Sequence, residues 1–247
     1  LFAAGAGNKI VGAVAYSDYP PAAKSIPQIG GYSSFDLEAL VALKPDLVIG
    51  WETGNSPATI AKIQTLGIPV YLSQPNEVSQ VAIEIQKFGQ LAGTEKVSQP
   101  AADKFKQRLT KLQKTYANAS TVTVFYQISE SPLMTIGGNQ IITNAINICG
   151  GKNIFDSLVP MASVISVESV LAADPEAIVA SGMTQTKPKT LDQWKRWPKL
   201  NATQRGNFFF IDPDLMSRNG PRILDGTQIL CEAIQVARNR RPPQTRH

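Results

Sequence analysis

Histidine is almost missing: the one imidazole in 247 residues is His247, the last residue, beyond the Pro242-Pro243 pair. That excludes mechanisms needing a positioned imidazole, among them serine-histidine and cysteine-histidine triads, the usual zinc sites and most general-base chemistry near neutral pH. Long apolar runs are missing too. Stretches such as Leu47 to Trp51 and Phe208 to Ile211 fall far short of the roughly 20 residues a spanning helix needs. Neither a Gly-x-Gly-x-x-Gly nor a P-loop signature occurs, and no motif pairs Asp18, Asp36 or Asp214 for carboxylate catalysis. An enzyme is therefore not expected, and neither is a bound metal or a catalytic cofactor.

Charge offers little to a polyanion. There are 24 basic and 19 acidic side chains, a formal +5. Four arginines (Arg238, Arg240, Arg241, Arg246) crowd the carboxyl-terminal end, and five minus four leaves +1 for the rest. A nearly neutral body lacks the basic stripe that phosphate neutralisation requires, so nucleic acid is not an expected partner. What is present suits one or two globular lobes, since 43% of residues are hydrophobic and 17% charged, enough to bury a core. Cys149 and Cys231, the two cysteines, lie 82 positions apart. They are too few and too distant for a metal knuckle. Spacing alone leaves open a disulfide closing a large loop, as in an oxidising compartment, or two buried thiols.

Along the chain, Leu1 to Gly5 reads as the last turn of a helix, and Ile10 to Ala15 as a strand stopped by Pro20 and Pro21. Ser34 or Asp36 caps a short helix carrying Leu37, Leu40, Val41 and Leu43. Pro45-Asp46 ends it, and Leu47 to Gly50 is a buried strand. A helix from about 57 to 66 ends at Gly67, before a strand at Val70 to Leu72. Strand and helix alternate, so a parallel sheet is expected. Residues 78 to 117 form a long helical stretch with breaks near Gly93-Thr94 and Pro100. Strands follow at Val122 to Tyr126, Ala177 to Ala180 and Phe208 to Ile211, with helices at about 139 to 149 and 221 to 237. The reading is an α/β chain with an amino-terminal lobe (1–76), a linking helical segment (77–118) and a carboxyl-terminal lobe with a basic tail (119–247).

An internal repeat supports two lobes. Glu38-Ala39-Leu40-Val41-Ala42-Leu43-Lys44-Pro45-Asp46-Leu47-Val48-Ile49 aligns without gaps to Glu168-Ser169-Val170-Leu171-Ala172-Ala173-Asp174-Pro175-Glu176-Ala177-Ile178-Val179 at an offset of 130. Glu38 and Glu168 occupy the same place on matching helices, which suggests a partner touching both lobes.

Three segments carry a family resemblance: Tyr16-Ser17-Asp18-Tyr19-Pro20-Pro21, the Leu37 to Ile49 helix-Lys-Pro-Asp-strand unit, and Cys149-Gly150-Gly151-Lys152-Asn153-Ile154-Phe155. Together they resemble the periplasmic cobalamin-binding proteins of bacterial ABC importers, a branch of the helical-backbone (class III) substrate-binding proteins for siderophores, haem and cobalamin. The resemblance runs from Leu1 to about Ala237. It implies two Rossmann-like lobes joined by a long helix with a ligand cleft between them, periplasmic or membrane-associated extracytoplasmic location, a monomer, and a Cys149–Cys231 disulfide. It also implies that Glu38 and Glu168 engage the transmembrane permease. The family's opening strand and Ser-Pro turn precede the position of Leu1.

In open parallel sheets ligands gather beyond the carboxyl ends of strands. Tyr16, Tyr32 and Trp51 are the expected aromatic surfaces for a corrin ring, Tyr32 standing where the family carries tryptophan. Asp214 and Arg218 match family positions that contact cobalamin, able to accept from and donate to its amide arms. Met134 and Met161 fall where the family has phenylalanine and tryptophan, a departure that widens the ligand choice to related corrinoids. The expected cargo is cobalamin or another corrinoid, handed on unchanged to a permease. The alternative on the same fold is a ferric siderophore or haem.

Overall fold

The computed structural model describes residues 1–31, 34–182 and 189–243. It divides into two compact units, one comprising Leu1–Pro75 and Ala82–Asp103, the other Asn76–Val81 and Lys104–His247.

In the first unit the opening residues form a 3-10 turn at Phe2–Ala4, closed by Gly5 at φ 79°. The run Ile10 to Ala15 does not become a strand. It makes one isolated parallel bridge, Ala13 to Gln28, with Ala13 N–H donating to Pro27 O (3.0 Å) and Ala15 N–H to Gly30 O (2.7 Å). Pro27 has no N–H to return and Gly30 turns at φ 108°, so the ladder cannot propagate. Helix α1 (Leu37–Ala42) starts at Asp36, whose carboxylate accepts from Glu38 N–H and Ala39 N–H, the expected cap. Strand β1 (Val48–Trp51) reaches one residue further than expected and is half-buried rather than buried. Helix α2 (Pro57–Thr65) opens with proline at its first position, where the missing N–H costs nothing. Strand β2 (Val70–Ser73) pairs with β1 in parallel from Val48↔Val70 to Trp51↔Ser73.

The long helical stretch breaks once. Helix α3 (Gln80–Ala92) and helix α4 (Glu95–Tyr116) are separated by Gly93, which adopts φ 63°. Pro100, expected as a second break, lies inside α4. One proline forfeits one backbone hydrogen bond, and the buried faces of Ala102, Phe105 and Leu109 hold the helix through it.

The second unit is built on strands β3 (Val122–Glu130), β4 (Leu133–Ile136), β5 (Gly151–Asn153), β6 (Ala162–Val164), β7 (Ala177–Ala180) and β8 (Phe208–Phe210). Their order is β6-β4-β3-β7-β8, with β5 beside the amino half of β3. Strands β5, β7 and β8 run parallel to their neighbours, but β4 pairs antiparallel with both β3 and β6. The sheet is therefore mixed, not all parallel. Only Ser131-Pro132 separates β3 from β4, and so short a connection permits only the antiparallel return. Helices α5 (Ile141–Ile148), α6 (Val167–Ala173), α7 (Asn201–Gln204), α8 (Pro213–Met216) and α9 (Ile223–Asn239) complete the unit.

One core cluster gathers Phe125, Leu133, Ile178, Ala180 and Trp194. Phe125 meets Phe155 and Trp194 edge-on at 5.9 and 5.4 Å between ring centroids, a favoured aromatic geometry. Cys149, capping the end of α5, is bonded to Cys231 of α9 with 4.6 Å between Cα atoms, and both are buried. This is the disulfide that the resemblance implied.

The arginines set apart above as a tail belong in part to the folded body. Arg238 lies in α9 and Arg240 caps it. Arg238 donates to Ser120 O, Cys149 O and Gly150 O. Arg240 donates to Gly206 O at 2.8 Å, while Arg241 reaches Glu176 at 2.7 Å and also Thr121 O. These cations cap the ends of helices, where carbonyls accumulate.

Candidate functional site

Trp51 ends β1 and enters a turn whose backbone is pinned by Asn55: Trp51 N–H donates to Asn55 Oδ1 at 2.6 Å and Asn55 N–H donates back to Trp51 O at 2.9 Å. The indole lies over this turn because residue 54 is glycine. A Cβ there would sit 1.8 Å from the ring. The result is a large aromatic face, 41% exposed, at the carboxyl end of a parallel strand. Tyr16 is 84% exposed and holds φ at 66°, a left-handed conformation costing roughly 1–3 kcal/mol for a bulky residue. Tyr32 lies outside the described residues. A cavity of about 610 Å³ opens in the same unit, lined by Tyr19, Ile29, Leu43, Ile49 and Phe88 among others. Its lining includes neither Tyr16 nor Trp51, so the cavity takes in neither ring.

In the second unit Asp214 lies in α8, just beyond β8, and its N–H is accepted by Asp212 at the cap. Arg218 Nη2 stands 2.8 Å from Asp214 Oδ1, with the two side chains 33% and 27% exposed. An exposed pair of this kind stabilises by about 0–1 kcal/mol, so its geometry matters more than its energy. Met134 sits on β4 opposite Ser129 of β3 and Val164 of β6, near the carboxyl end of β3. Met161 is not level with it. The Met161 carbonyl accepts from Gly137 N–H at 3.2 Å, past the last β4–β6 pair, Ile136↔Ala162. Register brings Met134 together with Val164, which is 64% exposed. A three-residue strand carries too little alternation for that neighbour to be read from sequence.

Glu38 and Glu168 are each the second residue of their helix, and both are exposed. The match extends to atoms that no alignment of letters shows. Asp36 and Ser166 cap the two helices, Leu40 and Val170 are the buried contacts, and Lys44 and Asp174 hold φ 48° and 43°. Non-glycine residues rarely adopt that conformation, so its recurrence 130 residues apart marks one repeated loop.

Carrying the same offset two residues past Val179 sets Ser181 against Trp51, a position sequence reasoning stopped short of. Ser181 is buried, as is Tyr126 on neighbouring β3, and neither hydroxyl completes a hydrogen bond of normal geometry with a described residue. Burial pushes the Tyr126 phenol well above its ordinary value, and the facing Ser181 hydroxyl draws it partly back. Where the first unit presents an indole, the second places a buried hydroxyl pair.

The family model for periplasmic binding proteins matches residues 1–215. The vitamin B12-binding protein of Vibrio cholerae is 34% identical over 238 residues, 96% of this chain and 85% of the relative. That of Yersinia pestis is also 34% identical, over 94% of this chain and 81% of the relative. The crystal structure of the periplasmic vitamin B12-binding protein of Vibrio cholerae superposes with a TM-score of 0.88 at 32% identity, covering 96% of this chain and 92% of that one. A periplasmic haem-binding protein from Roseiflexus shares the fold, with a TM-score of 0.81 at 22% identity and coverage of 96% and 94%. By the span of the family match and the identity to these relatives, the chain belongs to the periplasmic binding protein family.

Proposed function

We propose that this protein captures cobalamin, or a closely related corrinoid, in the periplasm and delivers it unchanged to the permease of an ABC importer. The observation that carries this reading is the exposed indole of Trp51, propped over a glycine turn at the carboxyl end of β1. An indole so held is a preformed surface for a flat macrocycle, and apolar burial on a rigid face yields affinity without ordering cost. Relatives named for vitamin B12 binding, similar over nearly the whole chain, support the same cargo.

Tyr16 offers a second exposed ring to the ligand, and Tyr32 is assigned to it by the family resemblance alone. Asp214 accepts from amide N–H groups, and Arg218 donates to amide carbonyls or to a phosphate. Met134 and Met161 cover the ring through polarizable thioethers. Glu38 and Glu168, matched in place and exposed, dock the loaded protein on cationic residues of the permease. No bond is made or broken, so the protein is a carrier and not an enzyme.

Calorimetric titration with cyanocobalamin, haemin and a ferric siderophore tests the reading. Saturable binding of cyanocobalamin with a negative heat-capacity change is expected. Binding of haemin or the siderophore in its place moves the protein to the second reading, which the two methionines at aromatic positions and the exposed Tyr16 phenol favour.

A further inference from the structure

Four parallel strands of the second unit, β5, β3, β7 and β8, begin at one end of the sheet. The residues just before them are the ones that the carboxyl-terminal arginines bind: Gly150 before β5, Ser120 and Thr121 before β3, Glu176 before β7, and Gly206 before β8. Arg205, Arg238, Arg240 and Arg241 are thereby held at a single pole. Lys152 on β5 and Lys114 near the end of α4 lie there as well, and both are exposed. Against these six cations the neighbouring carboxylates among the described residues are Asp174 and Glu176, a surplus of four where the whole chain's formal charge is +5.

Compensation at this pole is mostly by neutral groups. Arg238 and Arg240 donate to backbone carbonyls and to side-chain amides of Gln235 and Asn207, which fix the guanidiniums in place without cancelling their charge. Glu176 is shared by Arg205 and Arg241, and Asp174 is occupied by Asn201. Capping of helix ends accounts for Arg238 and Arg240. It does not account for Lys114 and Lys152, whose side-chain ammonium groups make no hydrogen bond or ion pair among the described residues. A cationic surface compensated only in part fits an extended anionic surface, because each added cation strengthens attraction to charged headgroups and the effect dies within a Debye length, about 8 Å at physiological salt.

We propose that this pole docks on the anionic phospholipid headgroups of a membrane. The choice of lipid over nucleic acid rests on the extracytoplasmic reading given above. Asp214 and Glu168 lie at the opposite end of the same sheet, beyond β8 and after β6. A protein resting on the bilayer through its cationic pole therefore turns Asp214 and Glu168 away from the membrane, so this resting contact is released before Glu168 docks on the permease.

The test is sedimentation of the full-length protein with sucrose-loaded vesicles of phosphatidylcholine, with and without phosphatidylglycerol, at low and high salt. Binding is expected to the anionic vesicles alone and to vanish at high salt. The double variant Lys114→Glu, Lys152→Glu is expected to lose at least roughly fivefold in partition per charge reversed, while its calorimetric affinity for cyanocobalamin stays unchanged. The control Lys24→Glu, Lys62→Glu carries the same net charge on exposed residues of the first unit and is expected to keep vesicle binding. Equal loss in the control, or equal binding to neutral vesicles, overturns the proposal. So does tighter binding to soluble polyglutamate than to vesicles, which reassigns the pole to an acidic protein partner. Failure to bind cyanocobalamin removes the cargo reading and leaves the vesicle result standing.

Discussion

Replacing Trp51 with alanine tests the binding surface directly. A tryptophan offers about 250 Å² of accessible surface, and at 41% exposure about 100 Å² of Trp51 is available to a ligand. At about 25 cal/mol per Å² complete covering contributes about 2.5 kcal/mol, so Trp51→Ala is expected to raise the Kd for cyanocobalamin by up to roughly 60-fold. The turn keeps the main-chain N–H and carbonyl bonds to Asn55 in the variant, and a melting temperature measured beside the affinity reports any loss of fold. Gly54→Ala supplies the control. Its Cβ would fall 1.8 Å from the ring and must displace it, so affinity drops in the wild-type background. In Trp51→Ala the same change should have almost no effect, a coupling that a double-mutant cycle reads directly. Calorimetric affinity within threefold of wild type for Trp51→Ala, with an unchanged melting temperature, refutes the assignment.

Other expectations are equally concrete. Reduction of the Cys149–Cys231 bond opens a loop of 82 residues and should lower unfolding free energy by about 4–5 kcal/mol on the chain-entropy account, measured by urea titration with and without reductant. The double variant Glu38→Lys, Glu168→Lys should bind cyanocobalamin normally yet fail to support uptake in reconstituted proteoliposomes; normal uptake ends the docking assignment. Burial raises the Glu176 carboxyl, but hydrogen bonds from Arg241, the Thr123 N–H and Arg205 outweigh it and hold the pKa below its ordinary 4.5. A depressed carboxylate pKa stabilises the fold above the unfolded value and is lost as pH falls through the folded one. Glu176→Gln should therefore be less stable at neutral pH and lose less stability than wild type below about pH 4.5, as read by denaturant midpoints across that range.

Much of the local architecture was legible because its signals are local. Asp36 capping α1, Gly67 ending the segment after α2, and Gly93 parting α3 from α4 each act through one residue's own backbone. The Ile10 to Ala15 run misled because its apolar pattern is strand-like while its partner, Pro27 to Gly30, cannot complete a ladder. Strands β4, β5 and β6, of three or four residues, owe their existence to neighbours in the sheet rather than to any period of their own. The candidate site divides in the same way. Trp51 was visible as the residue after a strand, whereas the level of Met161 depends on register with Gly137, and the hydroxyls of Tyr126 and Ser181 meet only across two strands.

The arginine clamp also bears on how the second unit matures. Arg238 and Arg241 bind Ser120 across separations of 118 and 121 residues. A polypeptide leaving the ribosome amino end first presents the start of β3 long before these guanidiniums emerge. The fastening at the start of β3 therefore closes only after α9 has been made, which ties completion of this unit to one of its late-synthesised helices.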